Sequence, residues 1–187
     1  MKRPRVILVC LFIAGVGTGV AVWHQMRLER RYLPQINAAA QRYAVDPRLV
    51  RAVIWRESRF NPNVRGHAQE LGLMQIREAA AREWAAAEHV SSFAHEHCLD
   101  PGTNTLAGTF YLGQLMKRYG RTDNPALYAL ADYNAGHGNV VKWNTGPATT
   151  NSAVFLDQIG FPGTRSYVKS VMRRYALYCF LSRFNGT

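Results

Sequence analysis

Glu57 is the residue whose surroundings point most directly to chemistry. It follows Val50 by seven residues and Val53 by four, so a continuing helix lays it along an apolar stripe. A carboxyl placed there loses hydration, which favours its protonated form. A glutamic acid still protonated near neutral pH serves as a general acid. Spacing by itself favours a plainer reading, a helix-end glutamate reaching water or pairing with Arg56 or Arg59, because most acids are exposed. The downstream residues shift that balance. Gly72-Leu73-Met74-Gln75-Ile76 follows an irregular stretch containing Pro62 and Gly66. Gly72 permits a close backbone approach or a positive φ at the start of a new helix, and Gln75 then falls near that helix's N-terminus. Its amide offers a donor and an acceptor, suited to sugar hydroxyls or acetamido groups. Ala131-Asp132-Tyr133-Asn134-Ala135-Gly136 puts Tyr133 and Asn134 at a helix C-terminus, where a ring with a polar tip suits a sugar face. Taken singly, Met74 and Tyr133 read as core and Asn134 as a cap.

The elements that must position these residues are helical. Asp46-Pro47 reads as an N-cap followed by proline at the first helical position, and Leu49, Val50, Val53 and Ile54 form one stripe. Thr103 or Asn104 can cap a second helix, with Phe110, Tyr111, Leu115 and Tyr119 at helical spacing. Asn124-Pro125 starts a third, which Gly136 can end. Thr164 can cap a last one carrying Tyr167, Val168, Val171, Met172, Tyr175 and Cys179. No run alternates in the manner of a strand. The expected fold class is mainly α, one helical domain over residues 32–187, with residues 24–31 a short polar connection.

Composition bounds the rest. The chain has 187 residues, 48% apolar and 19% charged, enough for a core without disulfides. Its formal charge is +11, which suits an anionic partner such as cell-wall polymer, phospholipid or nucleic acid. Residues 1–5 form a basic flank, and residues 6–23 an uncharged stretch that as a helix spans roughly 27 Å. That length favours an uncleaved membrane anchor over a signal peptide, although Gly19-Val20-Ala21 offers a cleavage site. Cys98 and Cys179 can pair if the body is exported. His89, His95, His97 and Cys98 cluster without the paired spacing of a structural zinc site, so no metal is expected. No nucleic-acid motif accompanies the charge.

In order, Glu57-Ser58-Arg59-Phe60-Asn61-Pro62, Gly72-Leu73-Met74-Gln75-Ile76, Asp132-Tyr133-Asn134-Ala135-Gly136 and Thr164-Arg165-Ser166-Tyr167-Val168 resemble the catalytic domain of the soluble lytic transglycosylase family. The family fold is that of goose-type lysozyme, within the lysozyme-like superfamily. The resemblance covers roughly residues 34–182. It implies Glu57 as the single catalytic acid and base, substrate contacts from Met74, Gln75, Tyr133, Asn134 and Tyr167, and no cofactor. It further implies action on peptidoglycan glycan strands in the bacterial envelope, the domain lying outside an inner-membrane anchor or secreted after cleavage. The implied reaction is non-hydrolytic cleavage of the bond between N-acetylmuramic acid and N-acetylglucosamine, leaving 1,6-anhydro ends. The alternatives are a hydrolytic lysozyme-type muramidase, with Glu70 or Asp132 as second carboxylate if either leaves the solvated surface, and a catalytically weak peptidoglycan-binding protein. Three positions depart from the family pattern: Gly66 stands for a serine, Asp132 for a small residue, and Gly163 for a glutamate.

Overall fold

The computed structural model describes the backbone of residues 3–184 and the side chains of residues 15–184. Helix α1 runs Arg3–Arg31, α2 Leu33–Tyr43 and α3 Pro47–Glu57. A long loop leads to α4, Glu78–Ala87. After a 3-10 turn at His95–Leu99 come α5, Pro101–Arg118, α6, Pro125–Ala135, and α7, His137–Trp143. Helix α8, Ser152–Gln158, and α9, Pro162–Ser182, complete the chain. Among the described residues, strand pairing is confined to the isolated bridges Arg65 to Leu71 and Leu71 to Ile76. The mainly α expectation holds.

Helices α2, α3, α5, α6 and α9 each carry proline in the first turn, where its missing N–H costs nothing. Asp46 caps α3 by accepting from the Arg48 N–H at 2.8 Å. The same Asp-Pro signature starts α5: Asp100 accepts from the Thr103 N–H at 2.7 Å, three or four residues before the cap expected at Thr103 or Asn104. Likewise α9 begins at Pro162, which places Thr164 inside its first turn.

Helix α6 is buried on every side from Ala126 to Asp132, the mark of a central helix. It packs against α5, α7, α8 and α9, while α3 lies along α9 and α2 along α5. Tyr128 stacks on Phe155 with centroids 4.2 Å apart and donates to the Ala148 carbonyl at 2.6 Å. A smaller apolar cluster of Leu71, Ile76, Trp84 and Cys98 lies under α4. The half-buried rings of Tyr43 and Tyr111 touch both clusters, and the groove between α4 and α6 opens there.

Residues 24–31 are not a loose connection. They continue α1 and carry Glu29 into the body, where it pairs with Arg51 at 2.5 Å, while Leu28 packs on the core. Met1, Lys2, residues 185–187 and the side chains of residues 3–14, including Cys10, lie outside the described residues, so of the expected anchor, residues 6–23, the backbone is described throughout and the side chains from residue 15 on. Among the described residues no helix is long and apolar enough to cross a membrane.

Candidate active site

Glu57 is the last residue of α3, and the chain reverses directly after it. Arg59 and Phe60 both adopt positive φ, 53° and 62°. For bulky side chains this costs on the order of 1–2 kcal/mol each. Phe60 is wholly buried, so core packing holds the reversal. Ser58 is buried as well and donates to the Leu73 carbonyl at 2.8 Å, tying the end of α3 to the Gly72–Gln75 segment.

That segment is a turn and not the start of a helix. Leu71 and Ile76 exchange backbone hydrogen bonds of 3.1 Å in both directions, closing a tight reversal with Gly72 at φ 75° and Gln75 at φ 47°. A Cβ at Gly72 would lie 2.3 Å from the Cys98 carbonyl oxygen and the Asn104 Nδ2, so glycine is required by conformation and by space. Asn104 is fully buried in α5 and spends its amide on this turn. Its Nδ2 donates to the Leu71 carbonyl at 2.8 Å and to the Cys98 carbonyl at 2.6 Å, and its Oδ1 accepts from the Met74 N–H at 2.7 Å. Sequence reading gave Asn104 only a capping role. Asn104 stands in the first turn of α5, where an asparagine ordinarily reads as a cap, so no local signal marked this bonding.

Glu57, Gln75, Tyr133 and Asn134 line one cleft of about 450 Å³, together with Glu70, Arg77, Tyr111 and Asp132. The Tyr167 hydroxyl donates to Glu57 Oε1 at 2.7 Å from a fully buried ring behind the carboxyl. Desolvation pushes Glu57 up to about 7, against the opposing pull of the Tyr167 hydrogen bond and the Arg56 charge. The acid therefore exists in both protonation states near neutral pH, as proton transfer in two directions requires.

The other expected contacts are placed less uniformly. The Tyr133 hydroxyl donates to the Met74 carbonyl at 2.7 Å, with its ring beside Tyr111. Asn134 is exposed, and its Oδ1 accepts from Thr164 Oγ1 at 2.8 Å, joining the third motif to the fourth. Gln75 reaches the cleft, but its Nε2 donates at 2.9 Å to the carbonyls of both Val64 and Gly72, so its donors hold the loop. Met74 is wholly buried, with its sulfur 3.7 Å from the Thr109 hydroxyl. It is core, because the turn aims it at α5, and no surface is left for substrate. Tyr167 reaches the cleft only through Glu57.

The second carboxylates separate cleanly. Glu70 is half-buried and ion-paired to Arg77 at 3.0 Å. Burial pushes its carboxyl up, but hydrogen bonds from its own backbone N–H, Arg77 and the Ala68 N–H prevail and hold it below the ordinary range. Asp132 is 0% exposed, contrary to a solvated surface position. Its Oδ2 accepts from Arg118 at 2.8 Å and Tyr119 at 2.7 Å, with His137 Nδ1 at 3.3 Å.

Cys98 and Cys179 are both free thiols, so the pairing that the sequence left open is not formed. Cys98 is sealed under α4, where burial pushes its thiol up to about 12. Cys179 lies in the last turns of α9, beyond the Tyr175 that bonds the α3 cap at Asp46. The histidines do not gather either. His95 Nε2 lies 3.0 Å from the Ile76 carbonyl and His97 Nδ1 accepts from the Ala94 N–H. Among the described residues no three His, Cys, Asp or Glu side chains converge.

Residues of the first three motifs line this cleft, and the fourth reaches it through the hydrogen bond from Tyr167 to Glu57. The Transglycosylase SLT domain family model matches residues 34–155. The chain belongs to the SLT transglycosylase family. It is 32% identical over 81% of its length to the soluble lytic murein transglycosylase of Escherichia coli, covering 24% of that protein. It is 34% identical over 65% of its length to the membrane-bound lytic murein transglycosylase F of Desulfosudis oleivorans, covering 26% of it. The crystal structure of the 70 kDa soluble lytic transglycosylase of E. coli superposes with a TM-score of 0.67 at 30% identity, over 80% of this chain and 24% of that one. The chain thus spans about a quarter of the length of these two relatives. The lysozyme-like all-helical fold of the SLT family is the fold seen here.

The three departures from the SLT pattern now have surroundings. A Cβ at Gly66 would lie 2.3 Å from Glu70 Oε2 and 2.9 Å from Gln75 Oε1. The Glu70 carboxylate therefore occupies the space that a side chain at position 66 would take. Asp132 stands where the family has a small residue and bonds α6 to the end of α5 through Arg118 and the Tyr119 that follows it. At Gly163 a side chain would meet open space, so the missing glutamate is not compensated by another group.

Proposed function

We propose that this protein is a peptidoglycan lytic transglycosylase with Glu57 as its single acid and base. The carrying observation is that Glu57 combines access to the cleft with a pKa raised to about 7. Protonated Glu57 gives its proton to the glycosidic oxygen between N-acetylmuramic acid and N-acetylglucosamine, and the bond to C1 breaks with the electron pair leaving on that oxygen. The cationic sugar is stabilised by its own acetamido group. Ionised Glu57 then takes the proton of the C6 hydroxyl, whose oxygen closes onto C1. Glu57 ends protonated, no water is consumed, and the product carries a 1,6-anhydro ring.

The Tyr167 hydroxyl suits the second half of this cycle, since it stabilises the ionised carboxyl it donates to. Tyr133 and the exposed Asn134 offer the sugar-facing surface, and the cleft keeps the free Gln75 Oε1 as an acceptor. An inverting hydrolase needs a second carboxylate that activates water. Glu70 is spent on Arg77, Asp132 Oδ2 is taken up by Arg118 and Tyr119 and its Oδ1 is buried, which favours the lyase over the lysozyme-type alternative. The desolvated acid favours catalysis over glycan binding alone.

For location we propose an envelope enzyme held at the inner membrane through the N-terminal helix, with the domain on the extracytoplasmic side. Residues 15–24 of α1 are all exposed, among them Val16, Val20, Val22 and Trp23, as expected of a helix whose partner is lipid. Digestion of purified sacculi with the protein, followed by mass spectrometry of the released muropeptides, tests the activity. Anhydromuramoyl ends are expected. Reducing ends mean a hydrolase, and no release at pH 5 to 7 rejects the enzymatic reading.

A further inference from the structure

Behind the catalytic cleft, α1 and the C-terminal end of α9 enclose a second groove of about 920 Å³. Val22 and Met26 form one wall and Leu177 and Leu181 the other. Further apolar side chains stand exposed on α1 and at the end of α9 and just after it: Trp23 is 60% exposed, Phe180 54% and Phe184 72%. Large apolar side chains gathered at an exposed groove mark an interaction site more often than bare surface.

The groove is also cationic. Arg30, Arg51, Arg59 and Arg174 line it, and Glu29 is the one acid among its lining residues. Glu29 is taken up by Arg51 at 2.5 Å, with Arg174 at 3.9 Å. Arg59 and Arg174 lie 3.5 and 4.6 Å from the Trp55 ring centroid, which presents both guanidinium groups at the groove edge. Aliphatic walls beneath fixed guanidinium groups match an amphiphile with an acyl chain and an anionic head.

Height relative to the membrane selects the source. Leu181 and Ser182 share the groove with Thr18 and Ala21, which fall inside the uncharged stretch of residues 6–23. If that stretch spans the bilayer, the end of α9 sits at the level of the headgroups, and Trp23 falls where interfacial aromatic residues collect. Basic side chains at that level are attracted by anionic lipid.

We propose that this groove is a phospholipid site. In it the end of α9 dips into the headgroup layer, Val22, Leu177 and Leu181 take an acyl chain, and Arg30 and Arg59 take an anionic headgroup. The inference rests on the membrane-anchor reading of α1. Arg59 follows Glu57 by two residues, so the site holds the catalytic end of α3 at a set distance from the bilayer and confines the enzyme to glycan near the membrane.

The test uses full-length protein carrying Cys10→Ser and Cys179→Ser, spin-labelled at Phe184→Cys or, separately, at Val16→Cys. It is reconstituted into vesicles of phosphatidylcholine alone or mixed with phosphatidylglycerol. The 184 label is expected to lose collisions with an aqueous nickel chelate and gain collisions with oxygen, more strongly in phosphatidylglycerol. Arg30→Gln with Arg59→Gln is expected to remove the difference between the lipids. A label at 184 that stays aqueous in both lipids while the label at 16 is in lipid overturns the site and leaves the anchor standing. Aqueous labels at both positions reject both readings. Equal insertion in both lipids overturns the headgroup assignment, and spin–spin broadening at 184 shows a second copy of the chain in place of lipid.

Discussion

Replacing Glu57 by glutamine should make the protein more stable and abolish its activity, and the pH dependence of the stability gain measures the property that catalysis needs. Folding lifts this carboxyl from its ordinary 4.5 to about 7, chiefly by desolvation. At pH 4 the group is protonated in the folded and unfolded chain and costs little. Between 4.5 and 7 the folded chain holds the proton that the unfolded chain releases, so stability falls as pH rises. Above about 7 both are ionised and the full penalty stands, about 3 kcal/mol at 1.36 kcal/mol for each tenfold change in proton affinity. Glutamine keeps an acceptor for the Tyr167 hydroxyl and has no charge to desolvate. Urea titrations of both proteins at pH 4 and pH 8.5 should therefore show near-equal stability in acid and a variant more stable by about 2–3 kcal/mol in base. Muropeptide release by the variant should drop by ~10²–10⁴-fold or more. A stability difference that is the same at both pH values refutes the buried-acid argument, and an active variant refutes the role of Glu57.

Neighbours of Glu57 should move its titration in opposite directions. Tyr167→Phe removes a donor to the ionised carboxyl, so the alkaline limb of the pH–rate profile should shift to higher pH. Glu70→Gln removes a like charge that raises Glu57, so that limb should shift to lower pH; identical profiles for the two variants contradict this electrostatic account. Asn104→Ala leaves the Leu71 and Cys98 carbonyls and the Met74 N–H without their partner and should cost about 1–3 kcal/mol in denaturant titration. Its activity should fall at unchanged Glu57 titration. Gly66→Ser pushes a side chain into the Glu70 carboxylate. The double variant Gly66→Ser, Glu70→Ala should be more stable than the sum of the single changes, as a double-mutant cycle measures.

The sequence by itself marked α3 and α6 by their ends, gave the helical character of the body, and singled out Glu57 as the candidate acid. Asp46-Pro47, Asn124-Pro125 and Gly136 mark helix ends through local backbone chemistry that needs no partner, and they stand where expected. The stripe of Val50, Val53 and Glu57 carries the desolvation of the carboxyl, because helix periodicity alone puts all three on one face. Four ordered motifs then carried the family. The same local logic reached too far at Gly72, where glycine serves a closed turn and not a helix start. That turn exists only because Asn104 on α5, Ser58 after α3 and Tyr133 on α6 converge on its backbone, and no local pattern records a convergence of three helices. Tertiary structure likewise decided that Met74 is core, that Gln75 donates to its own loop, and that Asp132 is buried under Arg118 and Tyr119. It kept Cys98 and Cys179 apart and brought Tyr167 within 2.7 Å of a carboxyl 110 residues away in the chain. Periodicity fixes which way a side chain points from its own helix, whereas what it meets there depends on how the helices pack.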